Sequence, residues 1–275
     1  MSGFFVGVLV SASAQAQVLF EARPDRWPTD QGWSYAAVPG LAERQHLGHA
    51  VRLVTTAVPI EAAGYARQIT PPLDRRGGFN LVLRFRLPVE QHTRNDRAGF
   101  SVILLDAERR GIELGFWTNQ VFAQADQPLF TRAESAPCSF DAEPVEIVLS
   151  LHATHYRLFA NGTPLLTGPV RDYTAFTGFP DVYETPNFIF LGDDTTSAAA
   201  EVELAAVVLI QPPRLSLAAD GRLSWSGVPG QTYTVEFSPD CREWTPAGRI
   251  TSVTGEFVLP SPPEAGTGFF RVVHP

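Results

Sequence analysis

The chain has 275 residues, enough for one large β domain and a small companion. With 23 Pro, 22 Gly and 19 Phe, and few runs of helical period, it reads as all-β. A net charge of -8 argues against nucleic acid or an anionic membrane surface as partner.

The first residues read as a signal peptide over residues 1–16. Phe4–Val10 is a short apolar run, and Ala14-Gln-Ala16 fits a small-x-small cleavage site with Gln17 as the mature start. No Lys or Arg precedes the run, which departs from that pattern; the alternative is an N-terminal strand. The run is too short to anchor in a bilayer, and no other apolar stretch approaches a membrane span. The expectation is an exported protein, secreted or held in the periplasm or at the cell surface.

Residues 17–210 are expected to form the large domain. Val18–Phe20 is a short strand, followed by a loop with Trp27, Trp33 and Tyr35. Such flat aromatics serve as a sugar-stacking platform or as a local core beneath a loop. Ala50–Thr56 is a strand. In Phe79–Leu87, Phe79, Leu81, Leu83, Phe85 and Leu87 alternate with Asn80, Arg84 and Arg86, and Pro88 is expected to end the strand before a polar loop at Glu90–Asp96.

Three consecutive strands follow, read over Arg97–Asp106, Gly111–Trp117 and Val121–Gln124. Phe100, Val102 and Leu104 share a face, as do Ile112, Leu114 and Phe116. Glu113, Trp117 and Gln124 fall on the opposite face, the first place to look for a ligand. Further strands are read at Leu129–Thr131, Val145–Leu151, Tyr156–Ala160, Thr163–Leu166 and Phe188–Leu191, with Asn161-Gly162 as a hairpin turn. Arg171–Tyr173 and Phe176–Tyr183 make a long aromatic loop. The acidic turn Gly192–Ser197 leads into a last strand at Val202–Ile210.

Gln211-Pro212-Pro213 is a stiff linker. Residues 214–275 carry short strands, with turns at Gly227–Gly230 and Pro260–Pro263, and read as a small β-sandwich. The two cysteines, Cys138 and Cys241, fall in different domains and are expected to be free, partly buried thiols.

Two stretches resemble known families. The large domain resembles the concanavalin A-like, laminin-G-like jelly rolls of secreted bacterial proteins, on its strand succession and on RAGFSVILL, GIELGFW, YRLFANGTPLLTG and PNFIFLGDDTTSA. The resemblance implies a jelly-roll sandwich, a fold that hosts lectins, adhesins, glycanases and lyases alike. Residues 214–275 resemble the small C-terminal β modules of secreted Verrucomicrobia proteins, on Tyr233–Ser238, Trp244-Thr-Pro246 and Phe269–Val272, which implies a structural or surface-associated appendage.

Chemistry is thinly signalled. Jelly-roll glycanases set two carboxylates across the scissile bond, but Glu113 stands alone on its strand and Glu201 and Glu203 lack an intervening Asp. His92, Tyr173, Arg97, Gln124 and Arg171 are of lyase-site types without a lyase motif. Asp193 and Asp194 offer oxygens for Ca²⁺, with Asn95 and Asp96 as possible additions, or they cap a hairpin turn. Arg97, Glu113, Arg171 and Asp172 form either ligand contacts or a structural charge network centred on an Arg97–Glu113 pair. No nucleophilic triad, zinc cluster or phosphate loop is present.

The sequence thus predicts an all-β protein, a concanavalin A-like jelly-roll sandwich followed by a small β-sandwich. The first function reading is non-catalytic, lectin-like recognition of an extracellular glycan or cell-surface polymer. Its contacts are Glu113, Trp117, Gln124, Trp33, Tyr35 and Tyr173, with Asp193 and Asp194 as the metal candidates. A polysaccharide lyase or glycoside hydrolase on the same face, and a structural envelope or adhesion protein, are the alternatives.

Overall fold

The computed structural model describes residues 7–8, 15–58, 60–178, 181–211, 214–217, 222–226, 232–251, 256–259 and 268–273. Most of the expected leader, Pro212-Pro213 of the linker, and the turns at Gly227–Gly230 and Pro260–Pro263 lie outside the described residues. Two compact units divide the chain, one of Val18–Leu209 and one of Met1–Gln17 with Ile210–Pro275. Within the expected leader, β1 (Gly7–Val8) pairs in parallel with Phe269-Phe270 of the smaller unit; cleavage after Ala16 would remove that strand.

The larger unit is a jelly-roll sandwich of two antiparallel sheets. Its strands are β2 (Gln15–Glu21), β3 (Ser34–Val38), β4 (Glu43–His46), β5 (Val51–Val54), β6 (Ala62–Gln68), β7 (Phe79–His92), β8 (Phe100–Leu105), β9 (Gly111–Trp117), β10 (Gln120–Asp126), β11 (Leu129–Pro137), β12 (Val145–His152), β13 (His155–Ala160), β14 (Thr163–Pro169), β15 (Phe188–Asp193) and β16 (Ala198–Gln211). One sheet runs β11-β10-β9-β8-β15-β6-β3, and the other runs β14-β13-β12-β7-β16-β5-β4 with β2 also on β16. The chain crosses repeatedly between the sheets, while β4-β5, β8 to β11 and β12 to β14 run as antiparallel sequence neighbours within one sheet.

Alternation builds the core. Leu81, Leu83, Phe85 and Leu87 of β7 are fully buried, as are Ile147, Leu149 and Leu151 of β12, and the two strands pair in register from Phe85↔Val145 to Phe79↔Leu151. From the facing sheet come Phe100, Val102, Leu104, Ile112, Leu114, Phe116, Ile189 and Leu191. Phe85 meets Phe100, Phe116 and Phe140 at ring-centroid distances of 4.9, 5.2 and 5.6 Å.

Three expectations need correction. Pro88 does not end its strand: β7 continues to His92. The stretch after Trp33 is not all loop. Ser34–Val38 is an edge strand on β6, and its half-exposed pattern hides it from a search for apolar alternation. The strand at Leu129 extends to Pro137, again along an edge. Asn161-Gly162 is the hairpin turn between β13 and β14, both residues having positive φ (47° and 78°).

The smaller unit has a four-stranded and a three-stranded sheet. They use β17 (Arg214–Leu217), β18 (Leu223–Ser226), β19 (Thr232–Ser238), β20 (Thr245–Thr251), β21 (Glu256–Leu259) and β22 (Phe269–Val273) in the orders β1-β22-β19-β20 and β17-β18-β21. Leu223, Trp225, Tyr233, Val235, Leu259, Phe270 and Val272 form its core. Cys138 and Cys241 are free and partly buried.

Candidate functional site

The outward face of the seven-stranded sheet carries Ser101, Ile103 and Leu105 from β8, Glu113 and Trp117 from β9, and Phe122 and Gln124 from β10. A ligand face should be open, yet every residue from Phe100 to Leu105 and from Gly111 to Phe116 is buried. The cause is the aromatic segment after β14. Tyr173 and Tyr183 join Ile103, Leu105 and Phe188 in a second apolar cluster, with Phe130 and Phe176 packed against it. Phe130 lies 5.9 Å from Tyr173 and 5.4 Å from Tyr183 between ring centroids. Tyr173, Glu113 and Gln124 are 0%, 3% and 2% exposed, so this part of the expected contact surface is sealed.

Beneath that cover lies an acid pair. The carboxyls of Glu113 and Asp194 lie close enough for each to shift the other's titration. Tyr183 Oη–H donates to Glu113 Oε2, and Ser101 Oγ–H donates to Asp194 Oδ1 at 2.9 Å. Tyr173 Oη accepts from the Glu113 N–H (3.1 Å) and donates to the Gln124 carbonyl (2.7 Å). Burial pushes Glu113 well above the usual carboxylate range; the Asp194 charge adds to this, and Tyr183 and Arg97 oppose it. Asp194 is raised as well, chiefly by burial. Glu113 thus has a carboxyl neighbour that the sequence did not show, Asp194 from the turn after β15.

The expected Arg97–Glu113 ion pair is not formed. Arg97 Nη1 donates to the carbonyls of Asp96 (2.8 Å) and Phe130 (2.6 Å), and its ion-pair partner is Asp96 at 3.7 Å. Arg171 binds Glu134 instead, and Asp172 binds Arg110. The physical reason is depth: Tyr183 and Asp194 already fill the space around Glu113.

Nor do Asp193 and Asp194 converge on a cation. Neighbouring residues of an extended chain point to opposite faces. Asp193 turns inward, accepting from Thr55 Oγ1–H (2.8 Å) and the Thr195 N–H (3.1 Å), and burial pushes it up to about 9. Asp194 goes to Ser101 and Glu113. Asp96 is held by Arg94. Among the described residues no group of three or more His, Cys, Asp or Glu is arranged to hold a metal ion.

Trp33 and Tyr35 also lie away from the meander, because β3 is the opposite edge of the sheet from β11. Trp33 is 4% exposed and donates Nε1–H to the Leu19 carbonyl at 3.0 Å, as a core residue. Tyr35 packs on Tyr65 at 5.3 Å, under the Arg44 guanidinium at 3.9 Å.

What stays accessible is a rim where β7, β9, β10 and β11 meet. The exposed His92 ring stacks on half-buried Trp117 at 3.9 Å with an interplanar angle of 2°. Glu90, two residues earlier and so on the same strand face, meets His92 Nδ1 with Oε2 at 2.9 Å and accepts the Gly99 N–H with Oε1 at 3.2 Å. Burial raises Glu90 above its ordinary value, while His92 and the Gly99 amide work against that rise. Trp117 Nε1–H is fixed on the Arg97 carbonyl at 2.8 Å. The Arg132 guanidinium lies 4.5 Å from the ring centroids of both Trp117 and Phe122. Trp117 is thus the one expected contact residue left on an accessible surface near the meander. Sequence reading missed Glu90 and Arg132. The Glu-x-His spacing at a strand end was a usable signal for the first, whereas Arg132 reaches the rim only through the β10–β11 pairing.

No family model matches the chain, and no curated protein matches it. Solved structures do. The chain is similar to the carbohydrate esterase vb_24B_21 from Shiga toxin-encoding bacteriophage phi24B, at 12% identity and a TM-score of 0.48, over 72% of this chain and 100% of that one. It is similar to the carbohydrate recognition domain of Emp47p, at 11% identity and 0.44, over 71% and 95%. It is also similar to a Bacillus subtilis protein with a galectin-like fold, at 12% identity and 0.46, over 72% and 98%.

Proposed function

We propose that this chain is a lectin-like module that recognises an extracellular glycan, and that it does so at the His92–Trp117–Arg132 rim rather than at the centre of the sheet. The observation carrying the reading is the fixed ring stack. Its exposed member, the His92 ring, is a flat surface against which a pyranose face can pack. Here Glu90 and the Arg97 carbonyl hold the members of the stack in place, so little rotamer freedom remains to be lost on binding. Polar neighbours at the rim are Gln120 and the Asn95 carbonyl, both in contact with Arg132.

A second reading, a carbohydrate-active enzyme, is favoured by one observation. A buried carboxylate on Nδ1 orients an exposed imidazole, an arrangement suited to proton transfer. Column retention on a polysaccharide panel, run with a depolymerisation assay, separates the two. We expect retention without products, weakened about tenfold or more in His92→Ala and Trp117→Ala. Product release that His92→Ala abolishes would replace the lectin reading with the enzyme one. Unchanged retention in both variants would remove the rim from either.

A further inference from the structure

Taking the rim as the glycan surface, we propose that Arg132 makes it a subsite for carboxylated sugars, of the uronate class. Its neighbours leave its charge unanswered. Among the described residues no carboxylate pairs with it: Nη1 donates to the Asn95 carbonyl at 3.3 Å, and Nη2 donates to Gln120 Oε1. Both partners are neutral. The nearby carboxylates are engaged elsewhere, Asp96 with Arg94 and Arg97, Glu90 with His92, and Glu134 with Arg171 and Tyr156.

Those two bonds use two of the five N–H donors of a guanidinium, leaving enough of the planar fork to grip a carboxylate bidentately. The group is also packed on Trp117 and Phe122 and half-buried. Partial desolvation of this unneutralised cation lowers its pKa from the ordinary arginine value; an incoming anion would relieve that cost. Arg132 and His92 both pack on Trp117, which brings the guanidinium and the ring stack together on one rim. In a chain of net charge -8, attraction to an anion must be local.

The test is calorimetric titration of the full chain with one oligogalacturonide in two forms, the free acid and the methyl ester, which differ only in the carboxylate. The acid form should bind about tenfold tighter or more, with the advantage shrinking at raised salt. Arg132→Gln should abolish the difference, Arg132→Lys should keep part of it, and Arg157→Gln, on the other sheet, should change nothing. Equal binding of acid and ester, or an acid preference that survives Arg132→Gln, overturns the proposal while leaving the rim as a glycan surface. Binding of neutral glycans alone does the same, and binding of no glycan overturns both. Should Arg132→Gln fail to fold, as read by circular dichroism, the wild-type comparison of acid and ester still decides.

Discussion

Three buried carboxyls set the behaviour of the larger unit toward pH. Asp193, Asp194 and Glu113 all hold protons more tightly when folded than when unfolded, because burial disfavours the charged form. The folded chain therefore retains protons that the unfolded chain has lost. Stability is fully present below the ordinary carboxylate pKa and falls as pH rises toward the folded value. For Asp193 that window runs from 3.8 to about 9. Unfolding free energy from urea titrations should drop between pH 5 and 9, by on the order of 1 kcal/mol per pH unit for each retained proton. Asp193→Asn keeps the acceptor for Thr55 without the charge and should make the drop less steep; parallel curves for the two proteins would refute this. At the acid pair, Glu113→Gln supplies a permanent donor to Asp194 and should be nearly neutral at pH 7. Glu113→Ala strands Tyr183 and Asp194 around a cavity and should cost about 2–4 kcal/mol in the same titrations.

Strands show why the fold was more legible than the site. In β7 and β12 one face is buried and the other is not, so alternation alone revealed both strands and the direction each faces. In β8 and β9 both faces are buried, and only the inward set could be assigned from periodicity. The fate of the outward set depended on a segment some 60 residues further along, and nothing local to Glu113 signals Tyr173 or Tyr183. The Glu113–Asp194 contact likewise arises from the register of β8 between β9 and β15. Glycine marks one such approach. A Cβ on Gly115 would meet the Phe122 ring at 2.6 Å, so its absence lets that ring lie across β9, where it supports Arg132 and sits 5.4 Å from Trp117. Gly115→Ala should destabilise by about 1–3 kcal/mol and change the Trp117 fluorescence, whereas Gly162→Ala should cost about 1 kcal/mol for its positive φ alone, having open space around it, and leave the fluorescence as it was. Equal spectral effects from the two substitutions would contradict this account of the rim.

At the level of the molecule, each unit has a core of its own, but the two differ greatly in extent. The larger core draws on both sheets from Leu19 to Leu209, while the smaller rests on Leu223, Trp225, Tyr233, Val235, Leu259, Phe270 and Val272. A unit of that smaller size sits near the lower limit for folding without a staple, and its cysteine is free. Every residue assigned to the rim, from Glu90 through Arg132, belongs to the Val18–Leu209 unit, and the last strand of that unit's sheets ends at Gln211. A shortened chain of residues 15–211 should therefore unfold cooperatively in urea and keep glycan retention within about twofold of the full chain. Trp225→Ala in the full chain should empty the centre of the smaller core, at a cost of about 3–5 kcal/mol to that unit, and should open it to protease while retention persists. If the shortened chain folds but no longer binds, recognition depends on the smaller unit, and the rim is not the whole of the site. If it folds and binds as the full chain does, the second unit serves some purpose other than recognition, as the structural appendage expected from its sequence would.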